Sequence, residues 1–179
     1  SSPVNTKVCI IGSGFSGLCM GIKLKEAGIN DFMILEKAEE VGGTWRENTY
    51  PGAECDVPSA FYSFSFELYP YWEHKWSNQA QILDYLKYCA KKYKIYENIQ
   101  FQKELVSAIY NEEESAWSLK VSDGTEYKAR YFISGIGQLH HPNFPEIPGQ
   151  EAFEGESFHS AKWKHDVSLL GKRVAVIGN

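Results

Sequence analysis

This 179-residue sequence predicts an α/β fold with a parallel sheet, and three observations carry that prediction. An apolar run, Val8-Cys9-Ile10-Ile11, enters a Gly-x-Gly-x-x-Gly turn at Gly12, Gly14 and Gly17 and passes into a segment of helical periodicity. A second apolar run, Phe32-Met33-Ile34-Leu35, ends in Glu36. That is about 20 residues beyond the turn, where a strand-borne acid would meet a ribose. Strand, helix and strand in that order make a βαβ unit, whose strands must run parallel.

Residues 7–12 read as the first strand and 16–27 as the first helix, with Leu18, Ile22 and Ala27 on its inner face and Gly28 as C-cap. Two loops dense in glycine and proline follow, Val41 to Trp45 and Tyr50 to Ser59. Such loops hold backbone close to something rather than fill a core. Between Phe61 and Trp76 the chain is crowded with rings: Phe61, Tyr62, Phe64, Phe66, Tyr69, Tyr71, Trp72 and Trp76. A core cluster is the expectation for most of them, although a flat apolar cofactor would also suit the region.

Ser77 reads as the N-cap of a helix over 78–94 whose Ile82, Leu86, Cys89, Ala90 and Tyr93 fall on one face. Ile99-Gln100-Phe101 is a short strand. Leu105–Tyr110, Trp117–Val121 and Glu126–Arg130 form a β-meander with a hairpin turn at Asp123-Gly124. Tyr131–Ser134 reads as a further buried strand running into Gly135-Ile136-Gly137, and the proline-rich stretch Pro142 to Gly149 leaves the domain. Lys172 to Gly178 repeats the pattern of Lys7 to Gly12, as the first strand of a second nucleotide-binding unit cut off where its turn begins. The expected organisation is a domain at 1–149, a linker at 150–171 and an incomplete unit at 172–179, in a chain that is a fragment of a longer polypeptide.

A net charge of −5 without a basic cluster argues against a nucleic-acid surface. No apolar run reaches membrane-spanning length and Ser1-Ser2-Pro3-Val4 has no signal-peptide pattern, so a cytoplasmic location is expected. Cys9, Cys19, Cys55 and Cys89 have neither zinc-site nor dithiol spacing, and Cys9, Cys19 and Cys89 read as inert buried thiols. No metal is expected: His140 and His141, adjacent on an extended chain, point to opposite faces with no third ligand to complete a set.

The chemistry of the first turn is specific. Gly12 permits the tight bend, Gly14 lets backbone approach a pyrophosphate, and Gly17 lets the helix sit against the strand with its N–H groups facing phosphate. Glu36 can accept from ribose hydroxyls and repels a 2′-phosphate, so this first site suits an adenine dinucleotide other than NADP.

These motifs resemble the amino-terminal part of the class B flavoprotein monooxygenases, most of all the Baeyer–Villiger type, over nearly the whole chain. The resemblance implies a Rossmann-like FAD-binding domain, a parallel sheet with a β-meander crossover, truncated at the first strand of a second Rossmann unit. It implies FAD on Gly12, Gly14, Phe15, Ser16 and Gly17, with Glu36 and Lys37 at the ribose. Gly43, Thr44 and Trp45 would lie by the flavin, and Cys55, Tyr62, Leu105, Gly137 and Gln138 would add contacts. Asp56, in the segment Tyr50 to Asp56, would approach the isoalloxazine and nicotinamide; it is the one catalytic assignment, against an Asx-type turn before Pro58. The family fingerprint is present at Phe153, Gly155, His159 and Trp163, with Lys164 where Pro or Asp is usual. That stretch would couple the FAD and NADPH domains, whereas a capping or packing histidine is the alternative for His159.

The implied activity is oxygen insertion into a ketone, giving an ester or lactone through a C4a-peroxyflavin, with NADPH as reductant and O₂ as oxidant. An N- or S-oxygenating flavin monooxygenase is the alternative, disfavoured by Trp163; a flavin-binding module or a fragment that holds no FAD is a third. The fragment alone is expected to be inactive, because the arginine used beside the flavin would lie beyond Asn179. A flavin disulfide reductase places a cysteine directly after Gly-Gly-Thr and another five positions on; here Trp45 stands at the first position. Cys55, between Glu54 and Asp56, is expected to have a raised thiol pKa and a structural role.

Overall fold

The predicted βαβ unit is formed by β1 (Val4–Ile11), α1 (Phe15–Glu26) and β2 (Phe32–Leu35). A one-turn helix α2 (Thr44–Glu47) and a longer α3 (Gln79–Lys92) follow, then β3 (Ile99–Gln100), β4 (Leu105–Asn111), β5 (Ala116–Val121) and β6 (Glu126–Ser134). The structure, a computed structural model, describes residues 2–178. Its strands make one mixed sheet in the order β3-β2-β1-β6-β5-β4. The first four are parallel, and β6, β5 and β4 are antiparallel, so the meander continues the sheet rather than standing apart.

β6 joins the two halves. The sequence reading splits 126–134 into two strands, and the structure makes them one. Arg130 and Tyr131 are both exposed, which breaks the alternation and mimics a strand end. The strand continues because it pairs with β1 from Val4–Tyr127 to Ile11–Ser134, while its pairing with β5 covers only Glu126 to Ala129.

Alternation along β1 feeds two cores. Val8 and Ile10 face the helices with Leu18, Ile22, Ile34, Leu86 and Ile95; Cys9 and Ile11 face the meander with Leu35, Leu119, Val121 and Tyr127. Each such fully buried aliphatic side chain contributes about 1.5–3 kcal/mol. Ala27 is exposed rather than inward, because it is the C-cap of α1 and lies past the packed face. Cys19 is only half-buried, at the margin of the helix-side core, whereas burial lifts the thiols of Cys9 and Cys89 to about 12 and about 11.

Asn78, not Ser77, caps α3: its side chain accepts from the Gln81 N–H at 2.9 Å. Ser77 is drawn back into the 53–59 loop, where its carbonyl accepts from the Cys55 N–H (2.9 Å) and its hydroxyl meets Ser59 Oγ (2.5 Å). On α3 the inward face includes Tyr85, fully buried and missing from the sequence reading, while Tyr93 is half-buried.

Tyr85 organises the aromatic segment. Its hydroxyl donates to the Glu67 carbonyl (2.9 Å) and accepts from the Phe64 N–H (2.8 Å). The buried Glu67 carboxylate accepts from Lys92 (2.8 Å), Tyr93 (2.7 Å) and Tyr88 (3.2 Å). Burial alone would raise the Glu67 pKa, but the donors, led by Lys92 and Tyr93, outweigh it and hold the group below the usual carboxylate range. Five of the eight rings between 61 and 76 are at least half-buried; Phe61, Tyr71 and Trp76 are exposed.

Residues 141–157 are exposed throughout. His140 and His141 do not face opposite ways: the chain bends there and their rings lie 4.0 Å apart. The strand expected at 172–178 does not form, since no neighbouring strand offers it backbone partners; Asn179 lies outside the described residues. No helix of the structure is long and apolar enough to cross a membrane.

Candidate dinucleotide site

The parallel strands end together. The Gly12 N–H donates to the Leu35 carbonyl (2.9 Å), the Glu36 N–H to Gln100 (2.9 Å) and the Gly135 N–H to Ile11 (2.8 Å). The glycine turn, Glu36 and the 135–138 loop therefore leave the carboxyl edge of the sheet side by side, where ligands of open α/β sheets bind.

Backbone crosses backbone here at contact distance. A Cβ on Gly17 would overlap the Gly12 carbonyl oxygen, and one on Gly12 would lie 2.6 Å from the Gly135 carbonyl oxygen. Gly14 faces Gly43, whose Cβ would fall 3.2 Å from the Gly14 Cα. Gly14 is also the N-cap of α1; no side chain caps this end and its first turn holds no acid. A helix start of that kind offers its N–H groups and positive dipole end to an anion.

Glu36, 3 % exposed, is turned into the site. Its Oε2 accepts from the Ser13 N–H (2.9 Å) and hydroxyl (2.6 Å), and its Oε1 from the Ala38 N–H (2.9 Å). Arg46 Nη1 lies 3.5 Å from the same Oε1. The carboxylate and the glycine turn are thus in direct contact.

A wall of rings stands beside them. Phe15 meets Tyr62 edge-on at 5.1 Å and Phe64 at 5.3 Å, and the Trp45 indole N–H donates to the Tyr62 hydroxyl at 3.0 Å. Burial raises the Tyr62 pKa, so it stays a neutral phenol. Gln79 on α3 donates to the Trp45 carbonyl and fixes that loop. Cys55 is buried, its thiol accepting from the Val57 N–H at 3.4 Å. Its pKa is raised as expected, with burial the largest cause and Asp56 a lesser one. Asp56 itself is exposed, and near enough to Tyr62 for its charge to add to the rise of that phenol's pKa.

The structure brings together Gly12, Gly14, Phe15, Gly17, Glu36, Gly43, Trp45 and Tyr62, with Ser16 and Thr44 exposed at the starts of their helices. Lys37 is exposed and pairs with Glu47 at 3.2 Å. Leu105 packs on the meander-side core, as Met33 does, and Gly137 and Gln138 are exposed beyond β6. Ser13, Arg46 and Gln79 are not singled out by the sequence reading, whereas Gly135 stands in the stretch it names after the last strand. Ser13, a hydroxyl inside the glycine turn, was the most findable.

In the fingerprint segment the His159 Nδ1 accepts from the Ala161 N–H (3.0 Å), which makes it the cap of a 3-10 turn at Ser160–Lys162. Trp163 packs edge-on against Phe158 at 5.1 Å, Lys164 pairs with Glu156 at 2.7 Å, and Phe153 closes over Gly155. His165 Nε2 lies 2.9 Å from the Thr49 hydroxyl.

Comparison with known proteins places this geometry. The chain is 48 % identical over 172 residues to a Baeyer–Villiger monooxygenase of Pseudomonas aeruginosa, covering 96 % of this chain and 33 % of that protein. Cyclohexanone monooxygenase from Rhodococcus sp. Phi1, solved bound to NADP⁺, superposes with a TM-score of 0.85 at 34 % identity, over 94 % of this chain and 32 % of that one. OTEMO, solved in complex with FAD and NADP, superposes with a TM-score of 0.81 at 29 % identity, over 92 % of this chain and 31 % of that one. The chain thus spans about a third of the length of these relatives. The family model described as pyridine nucleotide-disulphide oxidoreductase matches residues 9–179, and the chain belongs to that family.

Proposed function

We propose that residues 1–149 are the amino-terminal, FAD-binding part of a flavin monooxygenase that uses NADPH and O₂ to convert a ketone into an ester or lactone. Residues 150–171 are its linker and 172–179 the entry to its NADP-binding unit. The observation that carries the reading is Glu36, buried and hydrogen-bonded to the glycine turn itself, where an adenine dinucleotide's ribose would meet it.

The residues fit FAD. The uncapped start of α1 presents bare backbone to a pyrophosphate, with N–H groups from Phe15, Ser16 and Gly17 as donors and no Cβ at Gly14 or Gly43 to stand in the way. Glu36 accepts from the ribose and disfavours a 2′-phosphate, with Lys37 at its rim. Phe15, Trp45 and Tyr62 form an apolar wall that keeps water from the reacting ring, together with Gly43, Thr44 and the buried Cys55. Asp56 accepts from a nicotinamide amide or an arginine, and Gly137 and Gln138, on the loop that leaves the carboxyl edge beside the glycine turn, add contacts from the solvent side. When bound, FAD supplies the two-electron chemistry with O₂; the chain supplies orientation and protection. Fingerprint residues Phe153, Gly155, His159 and Trp163 set the linker's shape.

Disulfide chemistry is not the reading for this member of the family. Trp45 occupies the position directly after Gly-Gly-Thr, and all four cysteines are free.

The test uses the intact protein. It is expected to purify with a flavin spectrum, to be bleached by NADPH without air, and to form lactone from a cyclic ketone when air is admitted. Oxygenation of amines or thioethers alone would replace ketone oxidation with the N- or S-oxygenating reading. Glu36→Ala is expected to lose bound flavin, with affinity down about tenfold or more, as for a charged group left without its hydrogen bonds.

A further inference from the structure

Glu36 has three hydrogen-bond donors and one ion-pair neighbour. Its Oε2 takes the Ser13 N–H and hydroxyl, and its Oε1 takes the Ala38 N–H at 2.9 Å and faces the Arg46 guanidinium at 3.5 Å. A carboxylate offers about four lone-pair directions. Three are taken, so a ribose hydroxyl that donates here either uses the open side of Oε1, where it meets the Arg46 guanidinium, or displaces a bonded group. The two backbone N–H groups cannot leave without moving the glycine turn or the end of β2. The Ser13 hydroxyl is held at 2.6 Å.

The Arg46 contact is the longest of the four, and Arg46 has other partners. Its Nη1 donates to the Glu40 carbonyl at 2.6 Å, and its Nη2 lies 3.1 Å from Glu47 Oε1. Releasing Glu36 leaves the guanidinium still paired, which avoids the penalty of stranding a largely buried charge.

We propose, on the dinucleotide reading above, that Arg46 is a positioning residue for Glu36: it aims the carboxylate in the free protein and yields its place to a ribose hydroxyl when the nucleotide binds. Arg46 directly follows Trp45 on α2, so this exchange joins the ribose end of the site to its ring wall.

The test removes flavin from the intact protein and measures how ADP and 2′,3′-dideoxy-ADP compete with FAD for it, in wild type, Arg46→Gln and Arg46→Lys. In wild type the dideoxy ligand leaves Arg46 on the carboxylate, which softens the loss of the hydroxyls. In Arg46→Gln nothing replaces them, and the ratio of the two inhibition constants is expected to rise about threefold or more. Arg46→Lys keeps a donor and a charge and brings the ratio back toward wild type. A ratio unchanged in Arg46→Gln overturns the assignment, since a merely structural arginine weakens both ligands alike. A lysine variant indistinguishable from the glutamine one also counts against it. Arg46→Met carries the same expectation where the glutamine variant does not fold. A wild-type protein that rebinds no FAD overturns the dinucleotide reading itself, and this exchange with it.

Discussion

Two stretches of this chain share one pattern and have opposite fates. Lys7 to Gly12 and Lys172 to Gly178 are both apolar runs that begin at a lysine and end at a glycine. In the first, Cys9 and Ile10 have no exposed surface; in the second, Val176 is 82 % and Ile177 69 % exposed. The difference is pairing. β1 lies between β2 and β6, with both backbone edges hydrogen-bonded, helices on one face and the meander on the other. An apolar run gives a segment the capacity to be a central strand; neighbours on both edges make it one.

The comparison can be broken at its tightest point first. Gly17→Ala places a methyl group in the Gly12 carbonyl, where only backbone could give way. It is expected to cost about 3 kcal/mol or more and to abolish flavin binding, read by denaturant unfolding and flavin content. Next, Ile10→Ala should cost about 2–5 kcal/mol, against about 0.5 kcal/mol or less for Ile177→Ala. Equal losses would mean that the second run is buried in the protein as purified.

The smallest effect concerns charge. Every acid in residues 138–178 is exposed, whereas Glu67 is buried among donors. Its folded pKa lies below its unfolded one, so its stabilisation is complete above the ordinary carboxylate range and fades as pH falls through that range toward the folded value. Glu67→Gln should flatten that acid branch of the stability profile by about 1–2 kcal/mol, while Glu156→Gln, paired with Lys164 at the surface, should leave it unchanged. Matching profiles for the two variants would refute the distinction.

What was legible in the sequence was what local pattern determines. The βαβ start, the meander with its hairpin and the glycine turn with Glu36 follow from periodicity and spacing, and the structure has them in place. Illegible features depend on what the chain meets at long range. β6 passes as one strand through two exposed residues because β1 pairs along its full length. Ser77 has the chemistry of a cap, yet the 53–59 loop claims it and Asn78 takes the position. Arg46 carries no motif of its own; its meaning comes from a carboxylate ten residues earlier that α2 folds back to meet. Tyr85 reads as an ordinary helix tyrosine until the Glu67 carbonyl and the Phe64 N–H close on its hydroxyl.

The contact between Thr49 and His165 has a consequence of scale. Among the described residues it is the sole hydrogen bond or ion pair joining residues 138–178 to the body of the fold. A solvent-exposed bond of this kind holds about 1 kcal/mol, less than twice the thermal energy. The polar fastening of residues 138–178 is therefore comparable in size to thermal agitation, and a change at Thr49 or His165 alone suffices to open it.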